Sequence, residues 1–286
     1  MTTNVTTKAI PTVNLPAGEP IPVLGLGTWG MGEGKHRRRE EILALQLGID
    51  LGMTLIDTAE MYGEGAAEEL IGEAIRGRRK EVFIVSKVLP SNATTYGTVE
   101  ACERSLRRLK TDYLDMYLLH WRGPVRLENT VEAFGRLVHA GKSRYWGVSN
   151  FDVEDMEELR AIPSGSRCQT DQILYNLMRR GIEYDLLPWC LEHKMPIMAY
   201  SPIEQGRLPN HPTVGRVALR HGATPAQVAL AWVLRVKDIN TIPKASTRKH
   251  VQENRAALNI TFTEEDLAEL DAAFPPPTHK VPLEVI

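Results

Sequence analysis

Three short stretches of this 286-residue chain end in groups that handle protons: Leu55-Ile-Asp-Thr-Ala-Glu-Met-Tyr62, Ile84-Val-Ser-Lys87 and Tyr117-Leu-Leu-His120. Each begins as an apolar run of the β type and finishes polar, so Asp57, Tyr62, Lys87 and His120 arrive from three successive strand ends. A free phenol has a pKa of about 10, and a cation beside it favours the phenolate. Lys87 next to Tyr62 therefore predicts a phenol that releases its proton more readily than usual. Singly, Asp57 and Lys87 read as a buried ion pair and His120 as a satisfied core histidine. Their convergence on adjacent strand ends makes a proton donor the better reading.

One rhythm must position these groups: a short apolar run, a polar loop, then an amphipathic stretch at helical spacing. Strands are expected at 23–28, 54–58, 82–88, 113–120, 145–149, 168–175, 196–201 and 240–243. Helices are expected at 40–51, 66–76, 99–109, 128–140, 153–161, 184–193, 225–235 and 248–258. Eight alternating pairs predict an α/β fold, a (β/α)8 TIM barrel, better than an open sheet. The polar stretch before Val23, with its Pro and Gly, predicts a β-hairpin plugging the barrel floor. The T-x-x-D pattern from Thr263 predicts an extra C-terminal helix to about Ala273, stopped by Pro275-Pro-Pro277. With no linker in sight, residues 1–286 read as a single domain. Barrel chemistry sits at the C-terminal ends of strands, and neighbouring strands lie about 4.8 Å apart, so three adjacent ends fit one pocket.

The composition, 43% hydrophobic and 24% charged, is that of a soluble globular protein. A net charge of -2 offers no general attraction to nucleic acid or to an anionic membrane. The basic clusters at 36–39 and 76–80 are flanked by acids and read as solvated helix ends. Cys102, Cys168 and Cys190 form an odd set without CxxC spacing, which predicts buried free thiols and a reducing compartment. Residues 1–8 lack an apolar signal core and no run reaches membrane-spanning length, so the cytoplasm is expected. No metal site is expected. Gly25-Leu-Gly-Thr-Trp-Gly30 matches the dinucleotide fingerprint G-x-G-x-x-G, but a charged run to Arg39 separates it from any helix, so it reads as a loop.

With the strand ends placed, the chain resembles the aldo-keto reductase family over nearly its whole length. The resemblance rests on an ordered set: Gly25-Leu-Gly-Thr-Trp29, Leu55 through Gly63, Val85-Ser-Lys87, Leu118-Leu-His120, Trp146-Gly-Val-Ser-Asn150, Gln172, Ala199-Tyr-Ser-Pro202 and Ile242-Pro-Lys-Ala-Ser246. It is most similar to compact bacterial members that reduce methylglyoxal and related aldehydes. The resemblance implies Tyr62 as general acid, Lys87 as the group that lowers its pKa, Asp57 as the holder of Lys87, and His120 as the orienter of the carbonyl oxygen. It implies NADPH as cofactor, with NADH as a second one. Ser149, Asn150 and Gln172 would hold the nicotinamide carboxamide and Tyr200 would stack on the ring, with Gly27, Thr28, Trp29 and Asp57 also bordering it. Ser201, Pro202, Ile203, Gln205 and Gly206 would cover the pyrophosphate. Ile242, Pro243, Lys244, Ala245, Ser246, Thr247 and Arg248 would lead to the adenosine phosphate, with His250 nearby and Glu253 and Asn254 on adenine.

Two departures from the family pattern carry expectations. His250 stands where many NADPH-using relatives have an Arg, and neutral His cannot grip a phosphate bidentately, so NADPH preference is expected to be modest. The segment 121–128 and the tail after Phe274 are short, which predicts an open substrate site lined by Trp29, Met61, Tyr62, His120 and Trp121. The expected partner is a small carbonyl compound, the expected state a monomer. Two other functions fit a barrel: a nucleotide-sensing regulatory β-subunit with little turnover, and a phosphate-binding isomerase. The second leaves Tyr62 without a role.

Overall fold

The computed structural model describes residues 9–34 and 36–286. The expected lack of a signal core in residues 1–8 lies outside the described residues. A hairpin of β1 (Thr12–Asn14) and β2 (Pro20–Pro22) opens the fold. Eight parallel strands follow: β3 (Leu26–Gly27), β4 (Leu55–Asp57), β5 (Phe83–Val88), β6 (Leu114–Leu119), β7 (Ser143–Ser149), β8 (Asp171–Leu174), β9 (Ile197–Tyr200) and β10 (Ile239–Thr241). They pair in chain order from β3 to β10. Parallel bridges Leu24↔Thr241 and Gly27↔Lys244 bring the first strand against the last. The Gly25 amide donates to the Thr241 carbonyl at 2.8 Å and that of Gly27 to Pro243 at 3.1 Å. This seam demands glycine at 27, where a Cβ would stand 2.4 Å from the Ile242 carbonyl oxygen; one on Gly25 would stand 2.8 Å from the carbonyl oxygen of Leu55 on β4, the strand on the other side.

The crossovers are α1 (Arg38–Asp50), α2 (Ala66–Ala74), α3 (Thr95–Leu109), α4 (Leu127–His139), α5 (Val153–Ala161) and α6 (Leu186–Glu192). After β9 come two helices, α7 (Pro212–Arg220) and α8 (Pro225–Leu234), then α9 (Arg248–Ala256) and α10 (Glu264–Ala273). The helix α7 is absent from the sequence expectations. It is capped by the His211 side chain and carries Gly215 mid-helix, so it lacks both an ordinary N-cap and a clean propensity signal. The expected strands 23–28 and 168–175 shrink to Leu26–Gly27 and Asp171–Leu174, and Cys168 precedes its strand.

Two cores follow from the period-two alternation of the strands. One face of each strand packs on the helices, as with Ile56, Ile84, Tyr117 and Leu119. The other fills the barrel: Leu55, Phe83, Val85, Met116, Leu118, Met198 and Ile242 pack with Val13, Leu15 and Ile21 of the hairpin. The hairpin is thus the barrel floor, as expected. The basic clusters are tied up structurally: Arg38 pairs with Glu73 at 2.8 Å, Arg78 with Asp50 and Glu81, both at 2.7 Å, and Arg79 with Asp115 at 2.7 Å. All three cysteines are free and buried.

Candidate active site

The alternation that buries Leu55, Val85 and Leu118 inside the barrel puts Asp57, Lys87 and His120, two residues further along, on the same inward face at its top. Tyr62 comes from the turn after β4, whose chain reverses through left-handed backbone at Gly63, Glu64 and Gly65. Lys87 is fully buried, and its ammonium has three acceptors. Its Nζ donates to Asp57 Oδ2 at 2.8 Å, to the Thr58 carbonyl at 2.8 Å and to the Tyr62 hydroxyl at 3.2 Å. A lysine has three protons to give, so the ammonium is saturated and fixed. The sequence-predicted quartet is together.

Asp57 has a second donor that sequence reasoning did not connect to it. Gln172 Nε2 donates to Asp57 Oδ1 at 2.7 Å and lies 3.0 Å from Met198 Sδ. The amide expected to serve a nicotinamide carboxamide is thereby also a brace for the ion pair. Ser149 Oγ donates to the Gln172 carbonyl at 2.8 Å. Asn150 Nδ2 donates to the His120 carbonyl and to Ser149 Oγ, both at 3.1 Å, and the Tyr200 hydroxyl donates to Asn150 Oδ1 at 2.9 Å. One hydrogen-bonded belt thus runs from Tyr200 round to His120.

The electrostatics correct one expectation. Burial raises the Tyr62 phenol above its ordinary 10.0; Lys87 draws it back, but the Asp57 charge opposes Lys87. An acidified phenol is therefore not present in the chain alone, because losing water costs the phenolate more than the ammonium returns. Burial opposes the charge on Lys87, yet Asp57 and the Tyr62 oxygen raise its pKa, so it stays an ammonium. Burial also pushes the Asp57 carboxyl up, against the pull of Lys87 and Gln172. Burial, then the charge of Lys87, drives His120 down to about 2. His120 is thus a neutral ring, and its buried Nδ1 has no hydrogen-bond partner.

These groups open into a cavity of about 430 Å³, within the range of small-molecule sites. Its wall includes Gly27, Thr28, Trp29, Asp57, Met61, Tyr62, His120 and Trp121 on one side. On the other stand Ser149, Asn150, Gln172, Tyr200–Ile203, Gln205, Gly206 and Ile242–Lys244. Trp29, Met61 and Trp121 are exposed apolar members of this wall, and Val285 and Ile286 are two more. The wall ends at Lys244, and the residues expected at the adenosine end lie just beyond it. Ala245 and Asn254 are buried, Ser246, Thr247 and Glu253 half-buried, and Arg248 and His250 exposed. Thr247 caps α9, its hydroxyl accepting from the His250 amide at 3.2 Å. This end suits a phosphate: a helix N-terminus directs amides and a positive dipole end toward it, and Lys244 and Arg248 add charge. A basic helix start with Lys244 beside it, at the end of a cavity lined by Ser149, Asn150 and Gln172, fits a phosphorylated dinucleotide.

The tail departs from expectation. Its shortness predicts an open site, yet Val285 and Ile286 line the cavity. Lys280 pairs with Glu154 at 3.0 Å and Asp185 at 3.7 Å, Glu284 pairs with Arg179, and Leu283 packs against the core, which together lay the tail back over the barrel mouth. Nothing in the spacing of the tail residues signals these partners, which lie far away in the chain. Among the described residues no group of His, Cys, Asp and Glu could hold a metal ion, and no helix is long and apolar enough to cross a membrane.

Comparison with known proteins agrees with this geometry. A profile described as "Aldo/keto reductase family" matches residues 23–274. The chain is 52% identical over 271 residues to the methylglyoxal reductase YeaE of Escherichia coli, covering 93% of this chain and 95% of that protein. It is 33% identical to the glyoxal reductase of Bacillus subtilis, covering 91% and 92%. Among solved structures, an aldo/keto reductase from Klebsiella pneumoniae in complex with NADP and acetate superposes with a TM-score of 0.94 at 51% identity, covering 97% of this chain and all of that one. The chain belongs to the aldo/keto reductase family. It is an NADP-dependent oxidoreductase of carbonyl compounds.

Proposed function

We propose that this protein reduces small, reactive aldehydes, 2-oxoaldehydes such as methylglyoxal and activated aromatic aldehydes, to alcohols, with Tyr62 as general acid. The observation that carries the reading is the Tyr62 hydroxyl 3.2 Å from a fully buried Lys87 ammonium, itself 2.8 Å from Asp57. When bound, the reduced nicotinamide supplies a hydride to the carbonyl carbon. As that C–H bond forms, the C=O π pair moves onto the carbonyl oxygen, which takes the proton from Tyr62 Oη. Tyr62 must therefore be protonated before the step and able to shed its proton during it. Burial keeps it protonated. The Lys87 ammonium stabilises the phenolate as it forms, an interaction stronger in the transition state than before it. Neutral His120 serves as a hydrogen-bonding partner that holds the carbonyl oxygen, without adding charge.

Ser149, Asn150, Gln172 and Tyr200 would hold the nicotinamide end, the loop 201–206 the pyrophosphate, and Lys244 with Arg248 the 2'-phosphate. The apolar wall of Trp29, Met61 and Trp121 offers few polar partners, so sugars gain little there. Few remote contacts leave little binding energy to lower the barrier, which favours intrinsically reactive carbonyls. The site is complete within one chain, which supports a monomer, and three buried free thiols support a reducing compartment such as the cytoplasm.

The test is steady-state NADPH oxidation with methylglyoxal, 4-nitrobenzaldehyde, xylose and a steroid ketone under one condition. The first two should give the highest kcat/KM; a higher value for the sugar or the steroid overturns the substrate assignment. Tyr62→Phe should lose about 10²–10⁴-fold in rate while still binding NADPH. Near-normal turnover by that variant ends the mechanism.

A further inference from the structure

The loop after β9 is held in a costly conformation. Ser201, Glu204 and Gln205 have φ of 49°, 50° and 51°, the left-handed region that residues other than glycine avoid. Such backbone persists only where its surroundings over-determine it. Here the restraint is Glu204, fully buried under the loop. Its carboxylate accepts from Asn176 Nδ2 at 2.8 Å, Arg179 Nε at 3.0 Å and Arg207 Nη2 at 2.6 Å. Asn176 Nδ2 also donates to the Ser201 carbonyl at 2.9 Å. One of these partners faces two ways. Arg179 Nη1 donates to Glu284 of the C-terminal tail. Two residues on, Ile286 lies against the Tyr200 hydroxyl, and with Val285 it lines the cavity that holds Tyr62 and His120.

We infer that Arg179 is a positioning residue that couples the 201–206 loop to the C-terminal tail, so that clamping the loop on the cofactor also sets the tail as a wall of the carbonyl site. A single planar guanidinium bonds a buried carboxylate on one edge and a half-exposed one on another. An ammonium, a compact point charge, lacks two edges to do this. The inference rests on the loop being a cofactor-covering loop, as assigned above. Coupling between two sites is reciprocal, so whatever the cofactor does for the tail, the tail does for the cofactor.

The experiment is hydrogen exchange of the C-terminal peptide, followed by mass spectrometry with and without saturating NADPH, beside a fluorescence titration of NADPH binding. In the wild type, NADPH should slow exchange at the tail by about fivefold or more. Glu284→Gln, changing an exposed tail residue, should abolish that slowing and weaken NADPH binding by the same factor. Arg179→Gln should do likewise, and Arg179→Lys should restore the effect only partly. Wild-type binding of NADPH without protection of the tail overturns the coupling alone, as does full protection retained in Glu284→Gln. No binding of NADPH by the wild type overturns the functional reading beneath it, and the coupling falls with it.

Discussion

At the scale of the residue, the site works by pairing a proton that is hard to lose with a charge that makes its loss tolerable. The Tyr62 phenol, raised above 10.0, stays protonated through neutral and mildly alkaline pH. Reduction needs the protonated form, so its rate should hold level from pH 7 to 9 and fall only above the phenol's pKa. His120, at about 2, should add no limb between pH 5 and 8. A pH–rate profile of kcat checks both, and a His120-like inflection near 6.5 would contradict the second. Burying a neutral histidine has a further consequence. Its folded pKa lies below its unfolded one, so the unfolded chain binds the extra proton first, and its contribution to stability declines as pH drops below about 6.5. Lys87→Met should do more than slow catalysis, because it leaves Asp57 buried without its cation. Breaking a buried pair costs about 3–5 kcal/mol, readable as a lower urea midpoint. An unchanged midpoint would mean that Asp57 takes up a proton at little cost.

The quartet itself was legible in the sequence because Asp57, Lys87 and His120 each follow an apolar run at a strand end, with Tyr62 in the turn after the first of them. The acidity of Tyr62 was not. It depends on how much water the fold removes, and on Asp57 being close enough to counter Lys87. The role of Gln172 as a brace for Asp57 was equally hidden, since a contact across the barrel has no counterpart in linear spacing.

At the scale of the element, the helices and strands that repeat were the readable ones. The C-terminal helix α10 shows why: the T-x-x-D pattern forms a capping box, Thr263 Oγ1 accepting from the Asp266 amide at 3.2 Å and Asp266 Oδ2 from the Thr263 amide at 2.9 Å. What the pattern did not reveal is that Asp266 also accepts from Arg220 Nε at 2.8 Å and contacts His221 Nε2 at 2.8 Å, pinning α10 to the end of α7. Thr263→Ala removes the cap alone and should cost about 1 kcal/mol. Asp266→Ala removes the cap and the docking together and should cost more, by urea unfolding. Equal losses would mean that the contacts with α7 contribute nothing. The helix α7 escaped notice because it starts on a histidine cap and holds a glycine at its centre. The tail escaped notice for the reason that Arg179 did: its anchors are ion pairs between segments distant in sequence.

At the scale of the whole molecule, the charge distribution bears on cofactor choice. The net charge is only -2, yet Lys244, Arg248 and His250 are all exposed around the start of α9. Exposed charges are screened over a Debye length of about 8 Å at physiological ionic strength. Preference for NADPH over NADH should therefore narrow as salt rises, and His250→Arg should widen it at any salt, by kcat/KM with each cofactor. A wild type that favours NADH would contradict the placement of the 2'-phosphate beside these residues.

The seam between β3 and β10 has a consequence for how the chain comes into being. Gly25 and Gly27 bond to Thr241 and Pro243, about three-quarters of the chain away. A ribosome releases the first staves of the barrel long before the last one exists. Until β10 emerges, β3 carries a bare edge of unpaired amides and carbonyls, the kind of edge that recruits other chains. The ring therefore cannot shut before the final sixth of the chain, which supplies β10, has emerged. Gly27, whose missing side chain makes the closure sterically feasible, is thus spoken for at the start of synthesis and used near its end.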